Sequence, residues 1–522
     1  MSMIVPNSDI KLLANVPLDN TYEHTIYFST STDQYNYFNS KAVLSLTAQS
    51  YQRVNKGTLR VSGAAESFYN CNYLMFRNSG FSNSRWFYAF ITKIEYINNN
   101  VMEVTYELDV MQTWAFNYSL QHCFVEREHT ATDNLFENTV AENLDLGSDY
   151  VINASSFVNM NSMKIAALCV DSQAQAIQGS LYGNTYSPLI IKDDMLLTSS
   201  GMPYIDNQLS QIGERNIVAL YEYPSFLTER VGDTIITGGY IENSISLNTT
   251  INGYTPRNKK LFSYPYNFIQ INNNCGQTAD YKWEYFAYPE NPVTFHTTGT
   301  HVTSPAVICY PLLYRGMTNA VNDGIMYTNF PTCPIRADSF QTWWAQNKNS
   351  FVTSAITSSI SAIGGGLATT AMASDPILGG AVGAVQATIN IGNNIANSVA
   401  KMQDIENTPD QVHGNVQTDC LNAQMGRIGF SIYKLSIKAE IARIIDDYFD
   451  RYGYAVKRNK IPNRAVRKHW TYTKTIGCTI TGSVPANDMN KICQIFDKGI
   501  TFWLHGNEVG DYALASDNTV LS

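Results

Sequence analysis

Charge is scarce in this chain and, over one stretch, nearly missing. Charged residues make up 15% of 522 positions, yet Asn349 to Ala400 carries a single one, Asp375. Aromatic residues, 12% overall, are absent from Val352 to Gly429. A soluble amphipathic helix faces water with Lys, Glu and Arg, so this stretch lacks the usual means of covering itself with solvent. Several enzyme signatures are missing too. No G-x-S-x-G, H-E-x-x-H or G-x-x-x-x-G-K-[ST] occurs, which removes the local mechanics of esterases, zincins and P-loop proteins. Gly364-Gly365-Gly366 is no phosphate loop, since no Lys follows it and no charge stands nearby to hold an anion. The nine cysteines are odd in number, scattered and without C-x-x-C. That pattern argues against a disulfide framework or a zinc knuckle and fits synthesis in a reducing cytoplasm. Met1 to Asp19 lacks the basic start and apolar core of a signal peptide, so a membrane role needs another route of delivery.

What fills the chargeless stretch is patterned. Asp375-Pro376 divides it, because Pro ends a helix and biases the preceding residue toward extended backbone, and a helical hairpin is predicted. In the first half Val352, Ile356, Ile360, Ile363 and Leu367 recur on one helix face, with Ser354, Thr357, Ser358 and Ser361 opposite. In the second half Val385, Ile389, Ile391, Ile395 and Val399 oppose a narrow face of Gln386, Asn390, Asn393, Asn394 and Asn397. Each half is long enough to cross a hydrocarbon core, which takes about 20 residues. Gly364, Gly365, Gly366, Gly379, Gly380 and Gly383 supply the small side chains that let membrane helices pack closely. With Phe351, Ile377, Leu378 and Val382 included, fifteen Phe, Val, Ile, Leu or Met side chains lie in the stretch. Moving them into an apolar phase is worth up to about 20 kcal/mol. A membrane-active, pore-forming element is expected, with the Gln and Asn face lining an aqueous passage. The competing reading is a buried structural hairpin.

The net charge of -9 and pI near 5.4 argue against a dedicated DNA-binding protein. Lys457 to Lys474 nevertheless holds seven Lys or Arg and no acid, leaving -16 on the rest, and reads as a subunit contact or a solvated face. The length calls for several domains. Residues up to about 133 read as β structure. The clearest hairpin is Arg85 to Asp109, where Met102, Val104, Tyr106, Leu108 and Val110 alternate with Glu103, Thr105, Glu107 and Asp109 across the turn Asn98-Asn99-Asn100. Trp114 to Phe116 and Cys123 to His129 are expected to continue extended. Short β runs such as Lys164 to Val170 and Ile217 to Tyr223 follow, then aromatic β composition from Phe262 to Leu313. A soluble helix is predicted over Tyr433 to Tyr452, with Leu435, Ala439, Ala442, Ile445, Phe449 and Tyr452 inward, Lys438, Glu440, Arg443 and Asp446 outward, and Gly453 past its end. The tail reads as strand His469 to Ile480, a helix capped by Asn487 and closed by Gly499, and strand Ile500 to Leu504.

Candidate chemistry is thin. His296 and His301 could approach one metal, but ordinary β-surface histidines are the expected reading. Glu126, Arg127, Glu128, His129 and Asp133 could do acid/base work, but alternating charges at a strand edge more often form interstrand or intersubunit pairs. No catalytic residue, cofactor or metal is assigned.

Several stretches together resemble one family, the tail knob or distal tail tube protein of small short-tailed, protein-primed phages of mostly Gram-positive hosts. They are Thr32 to Lys41, Trp86-Phe87-Tyr88-Ala89-Phe90, Leu108 to Trp114, Val125-Glu126-Arg127-Glu128-His129, Tyr452-Gly453-Tyr454, Lys460-Ile461-Pro462-Asn463 and Phe496 to Trp503. The resemblance implies a homohexamer whose β domains form a tube for genome release. It also implies apolar loops that plug the tube and then form a channel in the host membrane, in the place occupied by Asn349 to Ala400. Expected partners are an upper tail or lower collar protein, a tail plug or cell-wall hydrolase at the tip, the host cytoplasmic membrane, and double-stranded genomic DNA passing without sequence recognition. The alternative is a host-attachment or wall-degrading tail protein. The expected architecture is α+β, mainly β. Tube-forming segments lie at 1–133, 257–348 and 430–522, a variable β-rich domain at 134–256, and the apolar element with its connector at 349–429.

Overall fold

A computed structural model describes residues 8–49, 57–78, 85–170, 189–196, 217–231, 234–300, 305–330, 332–333, 422 and 425–521. They are mainly β, as the sequence leads one to expect. The chain divides into two units, one of Met1–Gly147, Tyr254–Leu261 and Ala439–Ser522, the other of Ser148–Gly253 and Phe262–Lys438.

The first unit holds a six-stranded antiparallel sheet in the order Ala42–Gln49, Ser8–Ala14, Cys71–Asn78, Trp86–Asn98, Val101–Leu108, Thr58–Ser62. Both faces carry apolar side chains, as period-2 alternation demands when each face is covered. Ile10, Leu12, Leu74, Ala89, Met102 and Val104 gather on one face, and Leu13, Tyr73, Met75, Tyr88 and Phe90 on the other. Helix α1, Ser31–Ser40, starts at Thr30, whose hydroxyl accepts from the Asp33 amide at 3.1 Å, and its Phe38 stacks on Tyr73 with ring centres 5.1 Å apart.

The predicted hairpin is present as Trp86–Asn98 against Val101–Leu108, with Met102 and Val104 buried. It stops short of Asp109. Expected on the exposed acidic face, Asp109 is 1% exposed, and Val110 begins a short helix, α2 (Val110–Thr113). The Asp109 carboxylate accepts from the amides of Met111 at 3.0 Å and Gln112 at 3.1 Å and from the Tyr73 hydroxyl at 2.8 Å. A helix N-cap prefers Asp, and here that preference overrode the strand alternation. Trp114, expected extended, instead returns its amide to the Val110 carbonyl at 3.2 Å.

A second sheet of this unit runs His24–Ile26, Ile500–Trp503, Trp470–Ile476, Cys123–Glu128, Tyr454–Lys460, parallel only in its first pair. Helices α3, Ala439–Tyr452, and α4, Ala486–Lys498, complete the unit. Asn487 lies inside α4 rather than capping it; the residue before the helix is Pro485, without a side-chain cap bond. Gly499 does close the helix, at φ 100 with its amide on Ile495 O at 3.1 Å. Gly453 ends α3 at φ 63, and a Cβ there would lie 2.2 Å from the Glu128 carbonyl oxygen, so both conformation and space require glycine.

The second unit contains three larger antiparallel sheets. One orders Val151–Asn159, Gly429–Ser436, Asn267–Asn272, Thr278–Tyr281; another Leu189–Leu196, Met163–Val170, Ile217–Pro224, Thr332–Cys333. The third orders Ile241–Ile245, Val293–Thr300, Ala306–Tyr314, Met317–Asn319, with Ile325–Tyr327 also paired to Ala306–Tyr314. Here a second expectation fails. Tyr433 to Ser436, predicted as the first turn of a helix, lie in a central strand whose two edges are taken by Val151–Asn159 and Asn267–Asn272. The helical spacing of Leu435 with Ala439 and Ala442 continued the α3 stripe across a boundary. Alternate burial of Phe430 and Ile432 carried the strand signal.

Candidate functional site

Every residue expected to meet a membrane or line a channel, from Phe351 to Val399, lies outside the described residues, as does His301. What is described is how the chain on either side is held, and both roots belong to the second unit. On the entering side Tyr327 and Phe330 are buried with ring centres 4.9 Å apart, after which Thr332–Cys333 pairs with Tyr221 and Leu220. On the returning side the chain passes from Asn422 through Gly426 into the central strand Gly429–Ser436. Tyr327 and Phe430, one from each root, sit with centroids 6.5 Å apart. The two roots are therefore neighbours.

Neutral amides hold the returning root. Asn274, in the left-handed region at φ 55, donates from Nδ2 to the carbonyls of Gly429 at 3.0 Å and Arg427 at 3.3 Å, and its Oδ1 accepts from Ser431 at 3.0 Å. From the other side Asn161 donates to the Gly426 carbonyl at 2.8 Å and accepts from the Ile428 amide at 3.1 Å. Asn422 donates to the Asn274 carbonyl at 2.9 Å. Asn tolerates the left-handed region and bonds local backbone, which is why Asn-rich turns can serve as clamps. Gly429, at φ 148, passes so close to Val158 that a Cβ would meet its carbonyl oxygen at 2.0 Å.

A different grip operates in the first unit, where Tyr254–Leu261 is latched to α3. Asp446 and Asp450, one helical turn apart, share a face. Asp446 accepts from the Tyr254 hydroxyl at 2.6 Å, the Arg257 amide at 2.8 Å, and the Asn258 amide at 3.0 Å and Nδ2 at 2.8 Å. Asp450 accepts from Arg257 Nε and Asn258 Nδ2, both at 2.7 Å. Burial, opposed by the bonds to Asn258 and Arg257, still pushes the Asp450 carboxyl up to about 6. Asp446, expected on the charged exterior, is 0% exposed: its helical phase placed it outward, but the partners that bury it come from a distant loop.

The acidic and basic cluster of Cys123–Glu128 forms interstrand pairs. Glu128, fully buried, takes the Lys460 ammonium and the Asn463 amide at 2.9 Å. Glu126 pairs with Lys474 at 2.7 Å, and Arg127 bonds Glu142 and the Gly453 carbonyl. His129 is buried, its Nδ1 accepting from the Tyr472 amide at 2.7 Å and its Nε2 bonding the Asp450 carbonyl at 3.0 Å. Burial, with help from Arg467, lowers its pKa to about 3, so it stays neutral. Asp133 accepts from the Tyr454 hydroxyl at 2.7 Å. Both ring nitrogens of His129 are thus occupied by backbone partners. The basic run from Lys457 to Lys474 is mixed: Lys460, Lys468 and Lys474 pair with acids, Arg467 is buried, and Lys457, Arg458 and Lys468 are exposed. His296 pairs with Glu242 at 2.6 Å and stacks on Tyr240.

The architecture is that of a phage tail protein. Over the whole chain it resembles the solved structure of the bacteriophage C1 tail knob protein gp12, with TM-score 0.62 and 15% identity, covering 98% of this chain and 100% of that one. Residues 6–119 match the caudoviral major tail protein N-terminus. Residues 236–517, more than half of the chain, match the C-terminal domain of the tail knob protein gp9 of Bacillus phage phi29, and the chain belongs to that family. Tail knob proteins gp9 of Bacillus phages PZA and B103 are 28% and 27% identical to it, each over 98% of both chains. The phi29 protein is 27% identical over the same share. The chain is accordingly a structural component of a phage tail, and none of these likenesses indicates a catalytic activity.

Proposed function

We propose that this chain assembles as a hexameric tube at the tail tip, through which double-stranded DNA leaves, and that Asn349 to Ala400 passes into the host membrane as a channel. In this reading residues 1–133, 257–348 and 430–522 build the tube. One observation supports it above the others: the chargeless stretch is spliced between two neighbouring roots, each secured by its own strand pairing. A segment held in this way can change surroundings while the sheets that carry it stay paired. Among the described residues no helix is long and apolar enough to cross a membrane. A helical crossing by this chain would therefore fall to residues outside them. The acidic faces of a tube would let DNA slide, because it is basic contacts to phosphate that hold it.

Two experiments test the proposal. Full-length protein should release dye from liposomes and a version lacking Asn349 to Ala400 should not; equal leakage from both, or none from either, would favour an attachment or wall-degrading role. Electron microscopy of the purified assembly should show a six-fold ring with an axial hole. Any other symmetry would remove the hexamer, and a closed centre would remove the tube.

A further inference from the structure

The end of the second sheet in the first unit gathers a group of side chains that no part of the tail role uses. Trp470–Ile476 and Ile500–Trp503 run antiparallel with Trp470 opposite Trp503, and the Leu504 amide donates to the His469 carbonyl at 2.9 Å. His469 and His505 thus leave the same end of one strand pair. The chain then turns, with the Glu508 amide on the His505 carbonyl at 3.0 Å, and brings Glu508 back beside them. The potential ligand atoms of His469, His505 and Glu508 all lie within 4.8 Å of one another.

The two nitrogens of His469 each face a carboxylate: Nδ1 lies 2.8 Å from Glu508 Oε2, and Nε2 lies 2.9 Å from Asp517 Oδ2, which Lys468 holds at 2.6 Å. A neutral imidazole has one N–H, so it can donate to only one of them. Satisfying both carboxylates takes either a second proton on the ring or a cation at the other nitrogen. We propose that a divalent transition-metal ion of the zinc type binds there, held by His469 Nδ1, His505 and Glu508, while Asp517 accepts from His469 Nε2–H and orients the ring. That is the carboxylate–histidine–metal arrangement seen where an outer acid fixes the tautomer of a ligand.

Tetrahedral zinc with bonds of about 2.0–2.2 Å needs ligand atoms roughly 3.3 Å apart. His505 is exposed and Glu508 half-buried, so both side chains can adjust to that spacing. Two imidazoles and one carboxylate select zinc, cobalt, nickel or copper, whereas calcium and magnesium prefer all-oxygen sites. Water would fill the fourth position. The bound ion would tie the strand ends to the C-terminal segment Tyr512–Asp517 and stabilise the folded chain by mass action.

The test uses tag-free full-length protein stripped with a chelator. Added Co2+ should give the intense visible bands of a four-coordinate site at one ion per chain, and Zn2+ should displace it and raise the melting temperature. His505→Ala and His505→Gln, both at an exposed position, should abolish the bands. Asp517→Asn should weaken binding about ten- to a hundred-fold. His122→Ala, at an exposed histidine elsewhere, should change nothing. Absent bands, a Co2+ titration the same in wild type and His505 variants, or displacement by Ca2+ as effective as by Zn2+ would overturn the proposal and leave His469 as an imidazolium between two acids.

Discussion

The Tyr254–Leu261 crossover and the returning root of the apolar segment are both held by side chains gripping backbone, and the two grips are chemically opposite. The crossover is held by buried carboxylates of α3, with the Arg257 guanidinium among their partners. The root is held by the neutral amides of Asn161, Asn274 and Asn422. Hydrogen bonds to a charged group contribute about 1.5–3 kcal/mol each and neutral ones about 1. A buried carboxylate also cannot lose its partners cheaply, because what remains is an uncompensated charge. One grip is thus suited to a joint that never opens, the other to a joint that only has to hold position. The difference teaches that strong polar burial marks the frame of this molecule, and modest, uncharged contacts mark the edge of the part expected to move.

The largest effect should come from breaking the frame. Asp446→Ala removes the acceptor of four hydrogen bonds and strands the Tyr254 hydroxyl and the amides of Arg257 and Asn258, of which Asn258 is buried. A loss of about 3–5 kcal/mol is expected, seen as a lowered urea midpoint or as insoluble protein, with Asp446→Asn recovering part of it. A cost below about 1 kcal/mol would mean that the latch is ornamental.

Next is Asp109, whose carboxyl is pushed up to about 6, chiefly by burial, against the bonds it accepts from Gln112, Tyr73 and Met111. Asp109→Ala should cost about 2–3 kcal/mol through the lost cap and the orphaned Tyr73 hydroxyl. Asp109→Asn should cost much less, since it resembles the protonated acid. Its pH dependence has a definite sign. A raised folded pKa favours the fold most fully below the unfolded value of about 3.8, and that advantage is lost as pH rises through about 6. Relative to the Asn variant, wild type should therefore gain stability as pH falls from about 6 to about 4. A constant difference in urea midpoint across that range would refute the assignment.

The clamp should be weaker. Asn274→Gly keeps the left-handed backbone and removes only the amide, so about 1–2 kcal/mol is expected from the lost bonds to Gly429, Arg427 and Ser431. Asn274→Ala should cost somewhat more, because it keeps a Cβ at that φ without the local amide bonds that let Asn adopt it, a penalty glycine escapes. If Asn274→Gly matched Asp446→Ala in cost, the contrast between the two joints would disappear.

Much of this frame could be read from the chain alone, and most of the failures share a cause. The Trp86–Leu108 hairpin, the α3 stripe of Ala442, Ile445 and Phe449, and the Gly453 and Gly499 stops were legible because each signal is local: period 2, period 3.6, or a glycine past a helix end. Asp446 and Tyr433–Ser436 were misread because the deciding partners are remote in sequence: Tyr254–Asn258, and the strands Val151–Asn159 and Asn267–Asn272; at Asp109 a local helix-cap preference competed with the alternation and won. Asn161 and Asn274 carried no signal, as an isolated Asn marks a turn without saying what it clamps. His469, His505 and Glu508 were passed over for a related reason. Two of them form a short His-x-x-Glu run, but the third joins only through strand pairing. The chargeless stretch stands out by composition alone, and the hairpin expected of it lies outside the described residues.

The smallest effect tests whether the basic run belongs to the frame at all. Lys474 and Glu126 form an ion pair at 2.7 Å with both side chains about one-third exposed. Such pairs are screened by solvent, and their two long side chains must be ordered to meet, so exposed examples contribute about 0–1 kcal/mol. Lys474→Ala should therefore move the urea midpoint barely, and less still at high salt. Lys460 belongs to the same run but faces the fully buried Glu128, so only its neighbour offers a clean measure of surface charge. If Lys474→Ala leaves the isolated chain unchanged yet weakens assembly of the proposed ring, the run works between copies. If assembly is also unchanged, its charge merely keeps that face in water.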